Sequence, residues 1–427
     1  VDGQIGDGDA FIKRGGTDKW ASVLVGTTGA GGKTVFALDI TRPHAFADTD
    51  VLWEFTDPDL GNPIGKPVVA RMADGTWAAI FANGYNSTNQ RAMLFVDRLA
   101  EGVLLRKIDT GVGSLAVPNG LATPSLLADG TRTIQAAYAG DLAGKVWKFD
   151  LSSNNPASWG LAFGGSPLFT ATDDLGVAQP ITAPPQIGRH PNGGYMIYVG
   201  TGKFFETGDN INGPTPQKQS FYGLWDKSAA PSSITYTAGN RASALTQQTI
   251  LFEDDPASLP SSRKFAVRVT SENPTNWATA RGWFMDLVSP RNGAEGERVV
   301  SLPLLRNGRV IFPTLVPSAN PCEFGGGSWL MELEAVSGER LEQAPLDITE
   351  DGKIDSADLV TVSIGGVNVT AAPSAIQSRV GIIDTPAVVT TADGNEIKVF
   401  SGTSSGVEAP LESGAGGRLR GSWRQLR

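Results

Sequence analysis

Cysteine is almost missing from this chain: Cys322 is the only one in 427 residues. No internal disulfide can form, and no cysteine-based metal or redox centre can be built. Histidine is nearly as scarce, with only His44 and His190, which excludes a multi-histidine metal site. Charged residues make up 19% of the chain and the formal net charge is −9. That balance excludes the basic patches on which nucleic-acid or anionic-membrane binding depends, and suits cation binding instead. No apolar run reaches the roughly 18 residues that a membrane-spanning helix needs. The opening VDGQIGDGDAF has no initiator Met and no signal peptide, so the chain is expected to be part of a longer exported protein with its signal upstream.

Turn formers and aromatic residues are plentiful: 52 Gly, 27 Pro and 10 Trp. Many turns between short aromatic-rich segments predict an all-β chain. One unit recurs, with an apolar strand, a Gly-containing turn and a second strand ending in an acid. It reads ASVLVGTTGAGGKTVFALD to Asp39, AAIFANGYNSTNQRAMLFVD to Asp97, AAYAGDLAGKVWKFD to Asp150 and MIYVGTGKFFE…QSFYGLWD to Asp226. Weaker copies are RGWFMD to Asp286, GGGSWLMELE around Glu332, and KVFSGTSSG…GRLRGSWRQL at the end. Most copies follow a Pro, an apolar triplet and a DG or NG turn, at Pro67, Pro124, Pro185, Pro303 and Pro386. Pro suits the first position of a strand, where no ladder donor is needed, and the DG and NG pairs favour tight turns.

Repeats at this spacing, each too small to bury both faces alone, predict a modified, about seven-bladed β-propeller made as one domain over 1–427. The first hairpin lacks its Pro-strand, so the C-terminal segment is expected to complete that sheet and close the ring. Residues 204–219 read as an exposed polar loop, 338–378 as an inserted segment, and the Gly/Ser-rich tail 402–420 as mobile in part.

The inserted segment contains DITEDGKIDSAD, residues 347–358. With Asp347 as position 1, Thr349 is 3, Asp351 is 5, Lys353 is 7, Asp355 is 9 and Asp358 is 12. This is the oxygen-ligand spacing of an EF-hand calcium loop, with Gly352 at the sharp turn and the Lys353 backbone carbonyl as a ligand. The expected metal ligands are therefore Asp347, Thr349, Asp351, Lys353, Asp355 and Asp358, and the expected cofactor is Ca2+. Ile354 is expected to anchor the loop, and SADLV to add one short helical turn. Position 12 is Asp rather than Glu, which has shorter reach, as in dockerin-type loops. The acids Asp2, Asp7 and Asp9 form a much weaker cluster. Two near-motifs are set aside. TTGAGGKT has Thr27 where a P-loop needs Gly, and a strand follows it. GTSSG around Ser404 has no following helix and no later His.

The stretches GAGGKTVFALDITRP, GKPVVARMADGTWAAIFANGYNS, AAYAGDLAGKVWKFDLS, IYVGTGKFFE…QSFYGLWD and RGSWRQL together resemble the C-terminal domain of the PilY/PilC family of type IV pilus biogenesis factors and tip adhesins. The resemblance covers roughly residues 20–427. It implies a propeller similar to quinoprotein propellers without their quinone chemistry, hence no enzyme activity. It also implies export to the outer membrane or cell surface and a role in pilus extension against retraction, adhesion and twitching motility. The partners it implies are minor pilins or pilus assembly proteins, and a host receptor or glycan. Many such relatives carry an Asp-rich calcium loop just before YAGDLxGxxWKFD. Here that place reads LLADGTRTIQAAYAGD, keeping Asp129 and Gly130 but little else, so that site reads as lost. The alternatives are a quinone-dependent dehydrogenase-like propeller enzyme and a carbohydrate-binding propeller.

Overall fold

In the computed structural model, which describes residues 2–213, 215–228, 233–237 and 239–414, each of the five marker prolines stands immediately before a strand. Among the described residues the chain is all-β. Its strands are joined by turns and single-turn 3-10 helices, with no α-helix. The chain divides into two compact units, Val1–Lys203 with Leu224–Ala244, and Phe204–Gly223 with Leu245–Arg427.

The first unit is built from antiparallel sheets that follow chain order. Strands β1 (Ile5–Arg14), β2 (Thr17–Thr27), β3 (Val35–Asp39) and β4 (Val51–Phe55) form one sheet. Strands β5 (Val68–Arg71), β6 (Trp77–Ala82), β7 (Met93–Arg98) and β8 (Leu104–Asp109) form the next. Strands β9 (Ser125–Ala128), β10 (Ile134–Gly140) and β11 (Lys145–Asp150), with the short β12 (Gly160–Leu161) and β13 (Phe169–Thr170), form a third. The hairpin of β14 (Gln186–Arg189) and β15 (Tyr195–Gly200) follows.

Side chains alternate across a strand, so a strand covered on both faces reads as a continuous apolar run. Strand β6 shows this. Ala79 and Phe81 join Val23, Val25, Ala37 and Trp53 in one core. Ala78, Ile80 and Ala82 join Ala137, Ala139, Trp147 and Phe149 in another. The small residues let the sheets approach, and the large rings fill the space that remains. Trp147 is itself fixed by Nε1–H donating to the buried Asp141 at 2.9 Å.

The strand expected from the C-terminus for the first sheet is supplied by β1, which pairs with β2 over ten positions from Ile5↔Gly26 to Arg14↔Thr17. The sequence hid it because β1 is short of apolar side chains. A Cβ on Gly6 would lie 1.9 Å from the Pro67 carbonyl oxygen, and one on Gly8 3.1 Å from Val69. The expected closing copy RGSWRQL and the end of the Gly/Ser tail lie outside the described residues.

The second unit centres on a six-stranded sheet. Its order is Ile250–Glu253, Val267–Thr270, Ala375–Gln377, Trp329–Glu334, Arg309–Pro313 and Leu304–Arg306. The strand Ala375–Gln377, late in sequence, pairs on both sides, with Val267–Arg268 and with Trp329–Met331. The insertion expected over 338–378 therefore ends at 374, because residues 375–377 form a central strand of the sheet, and 338–374 is a detour between two neighbouring strands. It carries the acidic loop and the hairpin Val360–Ile364/Val367–Ala371. In the core of this unit Arg268 is fully buried, held by Glu253 and by both oxygens of Glu297, with its guanidinium 4.2 Å from the Trp329 ring centre. A buried guanidinium must be paired and have its donors satisfied, and the two carboxylates take those donors while the ring packs on its face. Among the described residues of 204–219 there is no strand or helix. Asn212 of this stretch donates to the Glu295 carbonyl at 2.6 Å, and Arg298 to the Asp209 carbonyl at 3.1 Å.

Candidate metal centre

The acidic loop starts where Pro345 and Leu346 run beside the last sheet of the unit. The amide of Ser413 donates to the Pro345 carbonyl and that of Asp347 to the Leu411 carbonyl. Leu346 and Ile348 are fully buried with Phe265, Val267 and Val360. The apolar anchor is therefore Ile348, inside the first turn, and the expected anchor Ile354 is only half-buried. The difference follows from strand geometry: Ile348 continues the inward side of the incoming extended segment, whereas Ile354 lies beyond the turn at Gly352.

Backbone amides curl the loop around its first and last acids. Asp347 is 4% exposed and accepts from Gly352 at 2.8 Å and from Asp351 at 3.3 Å. Asp358 is 1% exposed and accepts from Ile348 at 2.9 Å and from Asp355 at 3.0 Å. Gly352 has φ +82°, as the sharp turn demands. Ser356–Asp358 form a single 3-10 turn capped by Asp355, as SADLV led us to expect.

Asp347, Thr349 and Asp358 meet, since the Thr349 hydroxyl lies 3.1 Å from an Asp347 oxygen and 3.5 Å from an Asp358 oxygen. Asp351 and Asp355 are exposed and accept local amides, from Lys353 and Ala357 respectively. Among the described residues, no group of three or more His, Cys, Asp or Glu side chains stands arranged to hold a metal ion. The donors that do meet, two carboxylates and a hydroxyl, are all oxygens, the ligand type a hard cation takes. Burial first, and then the Asp347 charge, push the Asp358 carboxyl above its ordinary range, against the lowering effect of the backbone donors. A positive ion beside it would counter both the burial and the like charge.

The stretch read as a lost calcium loop is a self-contained turn. Asp129 accepts from the Thr131 amide and hydroxyl, the Thr133 amide and the Gln135 side chain, at 2.6–3.1 Å. Hydrogen-bond donors surround the carboxylate that a cation would need. The early acids do not converge either. Asp2 accepts from Ala30 and Asp9 from Ser22, while Asp7 and Asp9 lie exposed on β1. The P-loop-like stretch is a 3-10 turn running into β3, and Ser404 sits in a tight turn before Val407–Glu408, with no helix.

Sequence reasoning missed the group that fastens the loop from outside. Glu350, at position 4, has φ +57° and projects to Arg379 with a 2.7 Å contact. Arg379 also pairs with Glu408 and lies 4.1 Å from the Phe265 ring centre. These residues are too far apart in sequence for any spacing rule to join them.

Successive antiparallel sheets, apolar on both faces and cored by shared clusters, define a chain of the β-propeller class. It belongs to the PilY1 β-propeller domain family, whose family model matches residues 2–263. It is 38% identical over 387 residues to a type IV pilus biogenesis factor PilY1 homolog of Xylella fastidiosa, covering 86% of this chain and 25% of that protein. It is 37% identical over 388 residues to the type IV pilus biogenesis factor PilY1 of Pseudomonas aeruginosa, covering 83% of this chain and 32% of that protein. The crystal structure of the Pseudomonas aeruginosa PilY1 C-terminal domain superposes with a TM-score of 0.77 at 32% identity, over 96% of this chain and 83% of that one. The chain thus spans about a quarter to a third of the length of these curated relatives.

Proposed function

We propose that this chain is the non-enzymatic, about seven-bladed propeller part of a type IV pilus biogenesis factor, exported to the cell surface. There it supports pilus extension against retraction, adhesion and twitching motility by binding minor pilins or assembly proteins. Family membership carries the pilus role, and the relatives bear the names of biogenesis factors. Calcium is the proposed cofactor, held by side chains of Asp347, Thr349, Asp351, Asp355 and Asp358 and the carbonyl of Lys353. The observation that supports it is the burial of Asp347 and Asp358 against one hydroxyl, two like charges that a cation would neutralise. Its contribution is order: a loop already fixed loses less entropy when a partner docks.

Thermal unfolding with and without calcium tests this reading. A ligand at about 100 times its Kd adds about 2.7 kcal/mol to stability, so calcium should raise the melting temperature by several degrees. Asp351→Ala removes a ligand without opening the core, because Asp351 is exposed, and should abolish the rise. Equal melting temperatures for the parent with calcium and with chelator would overturn the proposal.

A further inference from the structure

The second unit contains a cleft of about 670 Å³, within the size range of ligand sites. Ser318, Glu323, Gly327, Trp329 and Gln377 contribute to its lining, and Arg379 does so as well. Arg379 is the same residue that grips the acidic loop. Its Nη2 holds Glu350 at 2.7 Å and its Nε holds the buried Glu408 at 2.5 Å, while its guanidinium lies 4.1 Å from the Phe265 ring centre. A second link joins the same places: the amide of Lys264, next to Phe265, donates to the Ile348 carbonyl within the loop at 2.9 Å.

We propose that the Glu350–Arg379 ion pair couples the state of the 347–358 loop to the wall of this cleft, so that a cation in the loop fixes the cleft's shape. The inference rests on the calcium reading and adds to it the element on which calcium acts. Glu350 is flanked by two proposed ligands, Thr349 and Asp351, but its own carboxylate points away from the loop centre to Arg379. When the loop carboxylates are neutralised, Glu350 stays in its left-handed conformation and keeps Arg379 against the Phe265 ring. When they repel, Glu350 is released and Arg379 keeps Glu408 alone. By linkage the effect runs both ways: a molecule in the cleft that holds Arg379 in place tightens calcium binding by the same factor. An ion pair of this exposure corresponds to a coupling of about two- to fivefold.

Cys322 makes the experiment direct. It is the single cysteine, it is exposed, and it neighbours the cleft-lining Glu323. The chain is labelled there with an environment-sensitive fluorophore, stripped with chelator and titrated with calcium, with calorimetry in parallel. The parent should show an emission change that tracks calcium binding. Glu350→Gln should still bind calcium, about two- to fivefold more weakly, with the emission change lost. Glu342→Gln, at an exposed acid upstream of the loop, should keep both. Persistence of the full emission change in Glu350→Gln overturns the coupling, as does a silent fluorophore in a parent that binds calcium by calorimetry. Absence of calcium binding in the parent overturns the metal reading itself, and the two failures are told apart by the calorimetric trace.

Discussion

Three of the acids that end the repeated hairpins share one local bond. Asp39, Asp150 and Asp226 each accept the amide of the residue two places on, Thr41, Ser152 and Ser228, at 2.7–3.0 Å. Asp97 breaks the pattern: the Leu99 amide, two places on, donates to the Trp77 carbonyl instead. Asp97 is fully buried, and neither of its oxygens has a hydrogen-bond partner among the described residues. Burial, and then the charge of Asp57, raise its pKa to about 8. A carboxyl raised in the folded state contributes stability that is complete below its unfolded pKa near 3.8 and is lost as pH rises toward 8. The difference in unfolding free energy between Asp97→Asn and the parent should therefore grow in favour of the variant by up to about 1.4 kcal/mol per pH unit across that window. Urea denaturation of both proteins from pH 5 to 8 measures it, and parallel profiles would show that Asp97 is ionised in the fold.

At the scale of strands, β6 and β7 carry the first unit by burying both faces. Phe81 and Phe95 stack with centroids 5.5 Å apart, and Phe55 meets both edge-on. Phe81→Ala should cost about 3–5 kcal/mol, visible as a large drop in the denaturation midpoint. These strands were legible in the sequence because apolar runs, a leading Pro and a DG turn all act within a few residues. Strand β1 was not, since its glycines answer to Pro67, just before β5, and to Val69 within it. The acidic loop was legible for the same reason as the hairpins: its spacing is a local property of one tight curl. Its fastening by Arg379 and its anchoring through Ile348 depend on packing that only the folded chain creates, and so does the cleft.

For the molecule as a whole, the cores consist of aliphatic and aromatic side chains with internally matched ions such as Arg268 with Glu253 and Glu297. None of those clusters includes the acidic loop's proposed ligands. Chelation should accordingly lower the melting temperature while leaving the far-UV circular dichroism of a β protein intact at 25 °C. Arg268→Met, by contrast, strands two buried carboxylates and should cost about 3–5 kcal/mol with or without calcium.

The strand Ala375–Gln377 slots between two strands made well before it. During synthesis the six-stranded sheet therefore stays split until the chain has travelled the whole 338–374 excursion and returned. The entropy of closing that span grows with the length left slack. If the twelve-residue loop binds calcium as proposed, the ion would shorten that slack, and calcium should hasten the moment at which the two halves of the sheet are zipped together.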